Sequence, residues 1–153
     1  MKWSQLDATE WGRYAPFLDT LLLPVFRVRF EEKQPKLEEA LGIGVVADRL
    51  EQSLTGRVLL LPPIPYSGAS PKAFQAYVES VLSQLGDSLF HHLILLVPDD
   101  LAEEWEEIQS PDLLTLLVAG VAVHQLVSDQ DIQAEAERLQ ERIVRLWQTG
   151  SFE

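Results

Sequence analysis

Three histidines, a run of carboxylates, two arginines and one proline- and serine-rich turn are the residues of this sequence whose chemistry would matter most. A hydrolytic zinc site takes three protein ligands drawn from imidazole and carboxylate, and the only histidines are His91, His92 and His124. His91 and His92 open an apolar run that reads as a strand, where adjacent side chains point to opposite faces, so the two do not share one ion. His124 falls in a separate apolar run. They read as a strand end and a satisfied sheet histidine rather than as ligands. Asp99, Asp100, Glu103, Glu104, Glu106 and Glu107 supply the oxygen donors that calcium and magnesium prefer. They lack the spacing and turn glycine of an EF-hand, and carboxylates at a helix start are also stabilised by the helix dipole.

The turn Tyr66-Ser67-Gly68-Ala69-Ser70 follows an apolar strand and enters a helix, whose free backbone donors suit an anion. It has neither the lysine of a phosphate-binding loop nor the spaced glycines of a dinucleotide fingerprint. A serine nucleophile at Ser67 or Ser70 would need a histidine base within hydrogen-bond reach. His91 starts the next strand, at the far end of a parallel sheet. Arg27 and Arg29 approach the same sheet edge as Asp99 and Asp100, so the crevice there is expected to be zwitterionic. It would collect Phe30, residues 62–70, residues 98–100 and residues 128–129, and suit a small polar molecule unless the charges simply pair.

The elements that must position these residues follow from periodicity. Residues 21–25 are continuously apolar, and Phe26, Val28 and Phe30 then alternate with Arg27 and Arg29, predicting a strand that becomes half exposed. Residues 58–61 and 93–97 are apolar on both faces, as in strands of a covered parallel sheet. A fourth strand is expected at 121–127 and a helix at 113–118. Asp7 to Glu10 has capping-box spacing before Trp11, Tyr14 and Leu18, predicting a short first helix cut by Pro16. Helices are also expected within 37–54, weakened at first by Gly42 and Gly44, from Ser70-Pro71 to Leu85, around Trp105, and from Ser128 to Gly150. Strands alternating with helices imply right-handed crossovers and a three-layer α/β/α domain over 1–153, with a mostly parallel sheet of about four strands. The four tryptophans read mainly as packing residues.

Hydrophobic residues make up 46% of the 153 and charged residues 24%, an ordinary globular balance. The net charge of −12 disfavours nucleic acid and anionic lipid as partners. With no cysteine there are no disulfides or thiolate metal sites. No signal-like amino terminus or membrane-spanning run is present, so a cytoplasmic protein without membrane insertion is expected.

FLDTLLLPV, residues 17–25, and GRVLLLPPIPYSGASP, residues 56–71, resemble the opening strand, second strand and following loop of the creatininase-type amidohydrolases. The whole chain is more closely similar to the YpiF-like family of small uncharacterised bacterial proteins, through Met1-Lys2-Trp3 and GRVLLLPP at 56–63. That family implies no established activity. The creatininase resemblance implies a fold and a metal pair held by Glu and His after the first strand, an Asp at the next helix and a His-Gly-Gly stretch after the third strand. This sequence has FRVRFEE and VPDD in the first and last of those places, so catalysis does not carry over. The expectation is a non-catalytic binding or assembly protein with no cofactor, a metal-less relative of the creatininase type whose partner is another protein or a second copy. The alternatives are a binder of a small anionic or polar metabolite at Tyr66, Ser67, Gly68 and Ser70, or a weak metal-dependent amidohydrolase using Asp99, Asp100 and a histidine.

Overall fold

The computed structural model describes residues 1–105 and 107–150. A short helix α1 (Trp11–Tyr14) leads into strand β1 (Thr20–Arg27), then a small antiparallel hairpin of β2 (Phe30–Glu31) and β3 (Gln34–Pro35). There follow α2 (Glu38–Ser53), β4 (Val58–Leu60), β5 (Ile64–Tyr66), α3 (Pro71–Leu85), β6 (His92–Pro98), α4 (Asp99–Glu104), β7 (Thr115–Val121) and α5 (Asp129–Gly150). The main sheet is parallel, in the order β4-β1-β6-β7, with β5 also paired to β1. This is the expected α/β architecture with helices on both faces.

Alternation along the doubly apolar strands divides the core in two. Leu21, Leu23 and Val25 of β1, with Leu93, Leu95 and Val97 of β6, pack on the face covered by α3 and α4. Leu22, Ile94 and Leu96 pack on the other face, against Ile43, Val46 and Leu50 of α2 and Leu139 and Ile143 of α5. Phe74 and Trp105 are each 1% exposed and meet edge-on at 4.9 Å, so the acidic α4 is pinned by the indole that follows it.

Pro24 sits inside the central strand without breaking it. Thr20 N donates to Arg57 O and Leu22 O accepts from Leu61 N, so even-numbered β1 residues face the β4 side. β4 pairing ends at Leu22 and β5 pairing begins at Val25. The proline nitrogen therefore falls where the neighbouring strand changes, and its missing donor breaks no ladder bond.

Four expectations need correction. Residues 113–118 are not helical: Thr115–Val121 is the fourth strand, paired with all of β6 from His92↔Thr115 to Pro98↔Val121. A short leucine run has no period that separates strand from helix, and here pairing with β6 decided. Gly120 suits this strand, because a Cβ there would lie 2.9 Å from Ala102 Cβ and 3.1 Å from Asp99 Cα. The expected strand at 121–127 holds instead a turn of 3-10 helix, Val123–Gln125, so His124 is not on a strand. Phe30 leaves β1 and enters the hairpin, whose turn residues Glu32 and Lys33 have φ of 50° and 66°. Asp7 does not cap a helix: its carboxylate accepts from the backbone and hydroxyl of Thr9, and α1 starts at Trp11 without a side-chain cap.

The other helix starts follow their chemistry. Ser70 Oγ accepts from Ala73 N ahead of Pro71. Before α5, Ser128 Oγ accepts from Asp131 N while the Asp131 carboxylate accepts from Val127 N and Ser128 N. Those bonds hold the Asp131 carboxyl below its ordinary value.

Candidate functional site at the carboxyl edge of the sheet

The strand carboxyl ends gather on one edge, the usual place for a ligand in an open α/β sheet. Arg27 closes β1 there. Its Nη2 donates to Glu39 Oε1 at 2.6 Å and to Asp100 Oδ1 at 2.9 Å, and its backbone N donates to Glu39 Oε2 at 2.5 Å. Glu39 lies in the first turn of α2 and Asp100 in the first turn of α4, where the dipole of α2 already favours a carboxylate. One guanidinium thus joins a strand end to two helix starts. Burial alone would depress Arg27, but the hydrogen bonds and charges of Glu39 and Asp100 outweigh it and hold the group above its ordinary value.

Beside this clamp lies a cavity of about 530 Å³ lined by Arg27, Arg29, Phe30, Glu39, Asp100 and His124, among others. His124 Nδ1 is 3.0 Å from Glu38 Oε1. Arg29 is exposed, and its guanidinium forms no ion pair among the described residues. The expected mixture of charges is present, and its central members are already paired.

Tyr66, Ser67, Gly68 and Ser70 do not line that cavity. Tyr66 is opposite Arg27 in the β1–β5 ladder, but its ring stacks on Phe74 at 4.1 Å and its hydroxyl donates to Ser70 O at 3.3 Å. The turn closes on itself, and a Cβ on Gly68 would lie 2.5 Å from the Tyr66 hydroxyl. Asp99 and Asp100 diverge: Asp100 meets Arg27, whereas Asp99 lines a different cavity beside β7.

Neither His91 nor His92 can serve as a base for Ser67 or Ser70. Ser67 and Ser70 follow β5, which pairs with the end of β1, whereas His92 pairs with Thr20 at its start. At ~3.3 Å per residue the strand separates these ends by about 20 Å. His92 is 6% exposed, and its Nδ1 is a buried atom without a hydrogen-bond partner. Burial holds it below its ordinary value, against the pull of Asp19 and with the push of Arg57 and His91. The His91 and His92 rings are 6.3 Å apart and nearly perpendicular.

A family model described as "Protein of unknown function (DUF2487)" matches residues 10–148. The chain belongs to that family. Within curated proteins, the Uncharacterized protein YpiF of Bacillus subtilis (strain 168) is 28% identical over 104 residues, covering 65% of this chain and 67% of its own. Among solved structures, two tryptophan-to-phenylalanine mutants of creatininase, the second described as Type II, match with TM-scores of 0.52 at 14% identity over 76% of this chain. The chain spans only 58% and 57% of those creatininase chains. At that identity the likeness to creatininase is one of fold, and the creatininase resemblance read from the sequence holds at that level, whereas the YpiF-like resemblance holds in the sequence itself.

The metal pair that a creatininase resemblance implies does not fit these residues. Where a Glu and His would follow the first strand stands Arg27 with its own carboxylate partners, and the Asp99 and Asp100 side chains part. Among the described residues no group of three or more His, Asp or Glu is placed to hold an ion. Among the described residues no helix is long and apolar enough to cross a membrane. Sequence reading found Arg27 and Asp100 but missed Glu39, for which the only local signal was an acidic residue in a helix's first turn. It also missed Arg138 and Arg142 of α5, which lie over the outer edge of β7.

Proposed function

We propose that the protein is a non-catalytic binding protein that docks another protein through an apolar surface at the amino end of the sheet. The observation that carries this reading is a groove of about 570 Å³ lined by Trp3, Leu6, Trp11, Leu61, Leu85 and Phe90, among others, and Leu89 stands in the chain between Ser88 and Phe90, two of its lining residues. Leu89 is 89% exposed and has a φ of 68°. A leucine in that region is strained, and an almost fully exposed one gains nothing from packing to offset it. Trp3 is 53% exposed, and a second groove sharing Leu6 and Trp11 runs on to Phe17, which is 70% exposed. Aromatic side chains around a concave apolar surface are the composition of binding anchors. The clamp at the opposite edge supports the absence of hydrolytic chemistry, because its carboxylates are engaged by Arg27 rather than free to ligate or to move protons.

Leu89→Asn separates binding from folding. Asparagine tolerates a positive φ, so the variant is expected to melt no lower than the parent while losing the partner. Capture from the native cell by wild type, Leu89→Asn and Arg27→Gln identifies the partner, and its affinity is then measured with purified proteins. Affinity lost in Leu89→Asn and kept in Arg27→Gln is the expected result. Equal capture by all three, or turnover of an amide substrate by the purified chain, would sink the reading. A second reading, a small anionic or polar ligand in the Arg27 cavity, is favoured by Arg29. It predicts an upward melting shift with a carboxylate or phosphate compound that Arg29→Gln abolishes.

A further inference from the structure

The outer edge of β7 is built differently from the rest of the sheet. Thr115 N donates to His91 O, so odd-numbered β7 residues face β6, and the backbone groups of Leu116, Val118 and Gly120 face outward. Among the described residues no further strand lies there. Arg138 Nη2 donates to Gly120 O at 2.8 Å and Arg142 Nη2 to Val118 O at 3.5 Å. Arg138 Nε also donates to Glu135 Oε1 at 2.6 Å. Arg142, half-buried, has no carboxylate partner among the described residues, and burial, together with the charge of Arg138, holds it below its ordinary value. A cavity of about 640 Å³ follows this edge. Its two walls belong to opposite faces of the sheet: α5 packs with Ala119 and Val121, α4 with Leu116 and Val118. Arg138 and Arg142 stand on the α5 wall with Glu135, which pairs with Arg138 and leaves Arg142 as that wall's uncompensated charge, and Asp99 and Glu103 stand on the α4 wall.

The geometry points to strand addition: the β7 edge receives an extended segment of a partner protein whose side chains alternate acidic and basic. This deepens the protein-binding reading above and rests on it only for the class of partner. Main-chain groups of such a segment pair with Leu116, Val118 and Gly120, the arginines giving up their carbonyl contacts. Successive side chains then fall on opposite faces, acids toward Arg138 and Arg142 and bases toward Asp99 and Glu103. A second copy does not fit. Full-overlap two-fold pairing centred on Val118 sets the two Arg142 guanidiniums against each other, between chains that each carry a net charge of −12.

The test is titration of the isotope-labelled full chain, at about 0.15 M salt where charges beyond ~8 Å are screened. The probes are blocked eight-residue peptides. One alternates Glu and Lys, and the other has the same composition in Glu-Glu-Lys-Lys blocks, which place both signs on each face. Shifts and slowed exchange at the Leu116, Val118 and Gly120 amides are expected with the alternating peptide, at least five-fold tighter than with the block peptide. The Arg138→Gln, Arg142→Gln double variant is expected to lose that preference. Val118→Pro deletes one outward N–H at a position where an edge strand tolerates proline, and should remove binding at an unchanged fold. No β7 shifts, equal affinity for both peptides, the same shifts with inorganic phosphate alone, or the same shifts on raising protein concentration alone would each overturn the proposal. The two-peptide comparison on the parent chain decides even if a variant fails to fold. Leu89→Asn should leave this titration unchanged, so failure here and failure of the amino-end groove are separate results.

Discussion

At the carboxyl end of β1, Arg27 is held by two carboxylates from two helix starts. At the amino end, Arg57 lies against one carboxylate, Asp19, and over the indole of Trp147 at 3.9 Å. Both clusters tie neighbouring elements to the central strand, with different materials. The carboxyl end uses charge across β1, α2 and α4, with Glu39 only 15% exposed. The amino end uses a ring: Trp147 Nε1 donates to Thr20 Oγ1 at 2.8 Å, Thr20 donates onward to Asp19, and His92 lies buried nearby. The carboxyl end should fail by losing a charge. The other end should fail by losing a ring contact or gaining a proton.

Breaking the carboxyl end gives the largest effect. Arg27→Ala leaves the Glu39 carboxylate part-buried without its partner and should cost about 3 kcal/mol in urea unfolding. Arg27→Lys should recover only part of it, because an ammonium cannot reproduce the forked contact. A loss below about 0.5 kcal/mol would remove the contrast between the two ends.

The amino end sharpens the contrast. Trp147→Phe keeps a ring over Arg57 but deletes the bond to Thr20, which is fully buried, and should cost about 1 kcal/mol in the same assay. A smaller effect comes from protonation. The folded-state pKa of His92 lies below its unfolded value, so between the two the unfolded chain binds more protons. Its stabilising contribution is complete above about pH 6.5 and falls as pH drops toward the folded pKa. Urea midpoints at pH 7.5 and 5.5 should show that decline, and His92→Leu should flatten it. An unchanged slope in His92→Leu would assign the decline elsewhere. Asp100→Asn should do least: the carboxylate is 60% exposed, and its removal should cost under about 0.5 kcal/mol, less still at high salt.

Most of the fold was legible because its strands are apolar on both faces and its helices carry separate stripes. β1, β4 and β6 announce themselves as short continuous apolar runs bounded by polar or turn residues, and α2, α3 and α5 by helical period. β7 did not, because the leucine run 113–118 has no readable period and its state is settled by β6, some twenty residues back. The site was half legible for a similar reason. Arg27 and Asp100 both stand just at or after a strand end, where topology must bring them to one edge. Glu39 reaches Arg27 only because α2 starts beneath that edge, which no local pattern encodes. Leu89 was unreadable too, since a positive φ leaves no mark on residue type when the residue is neither glycine nor asparagine.

The hairpin that rims the Arg27 cavity turns on Glu32 and Lys33, both at positive φ, the backbone that two-residue hairpins require and that Asn-Gly adopts most readily. Neither residue is suited to it, and each holds a conformation that costs an ordinary side chain on the order of 1 kcal/mol. That cost makes the rim a loaded spring: the two-residue bend has an incentive to relax that the strands beneath it lack. A Glu32→Asn, Lys33→Gly pair would discharge it, leaving the sheet untouched while slowing exchange of the Lys36 amide, which donates to Arg29 O across the hairpin base.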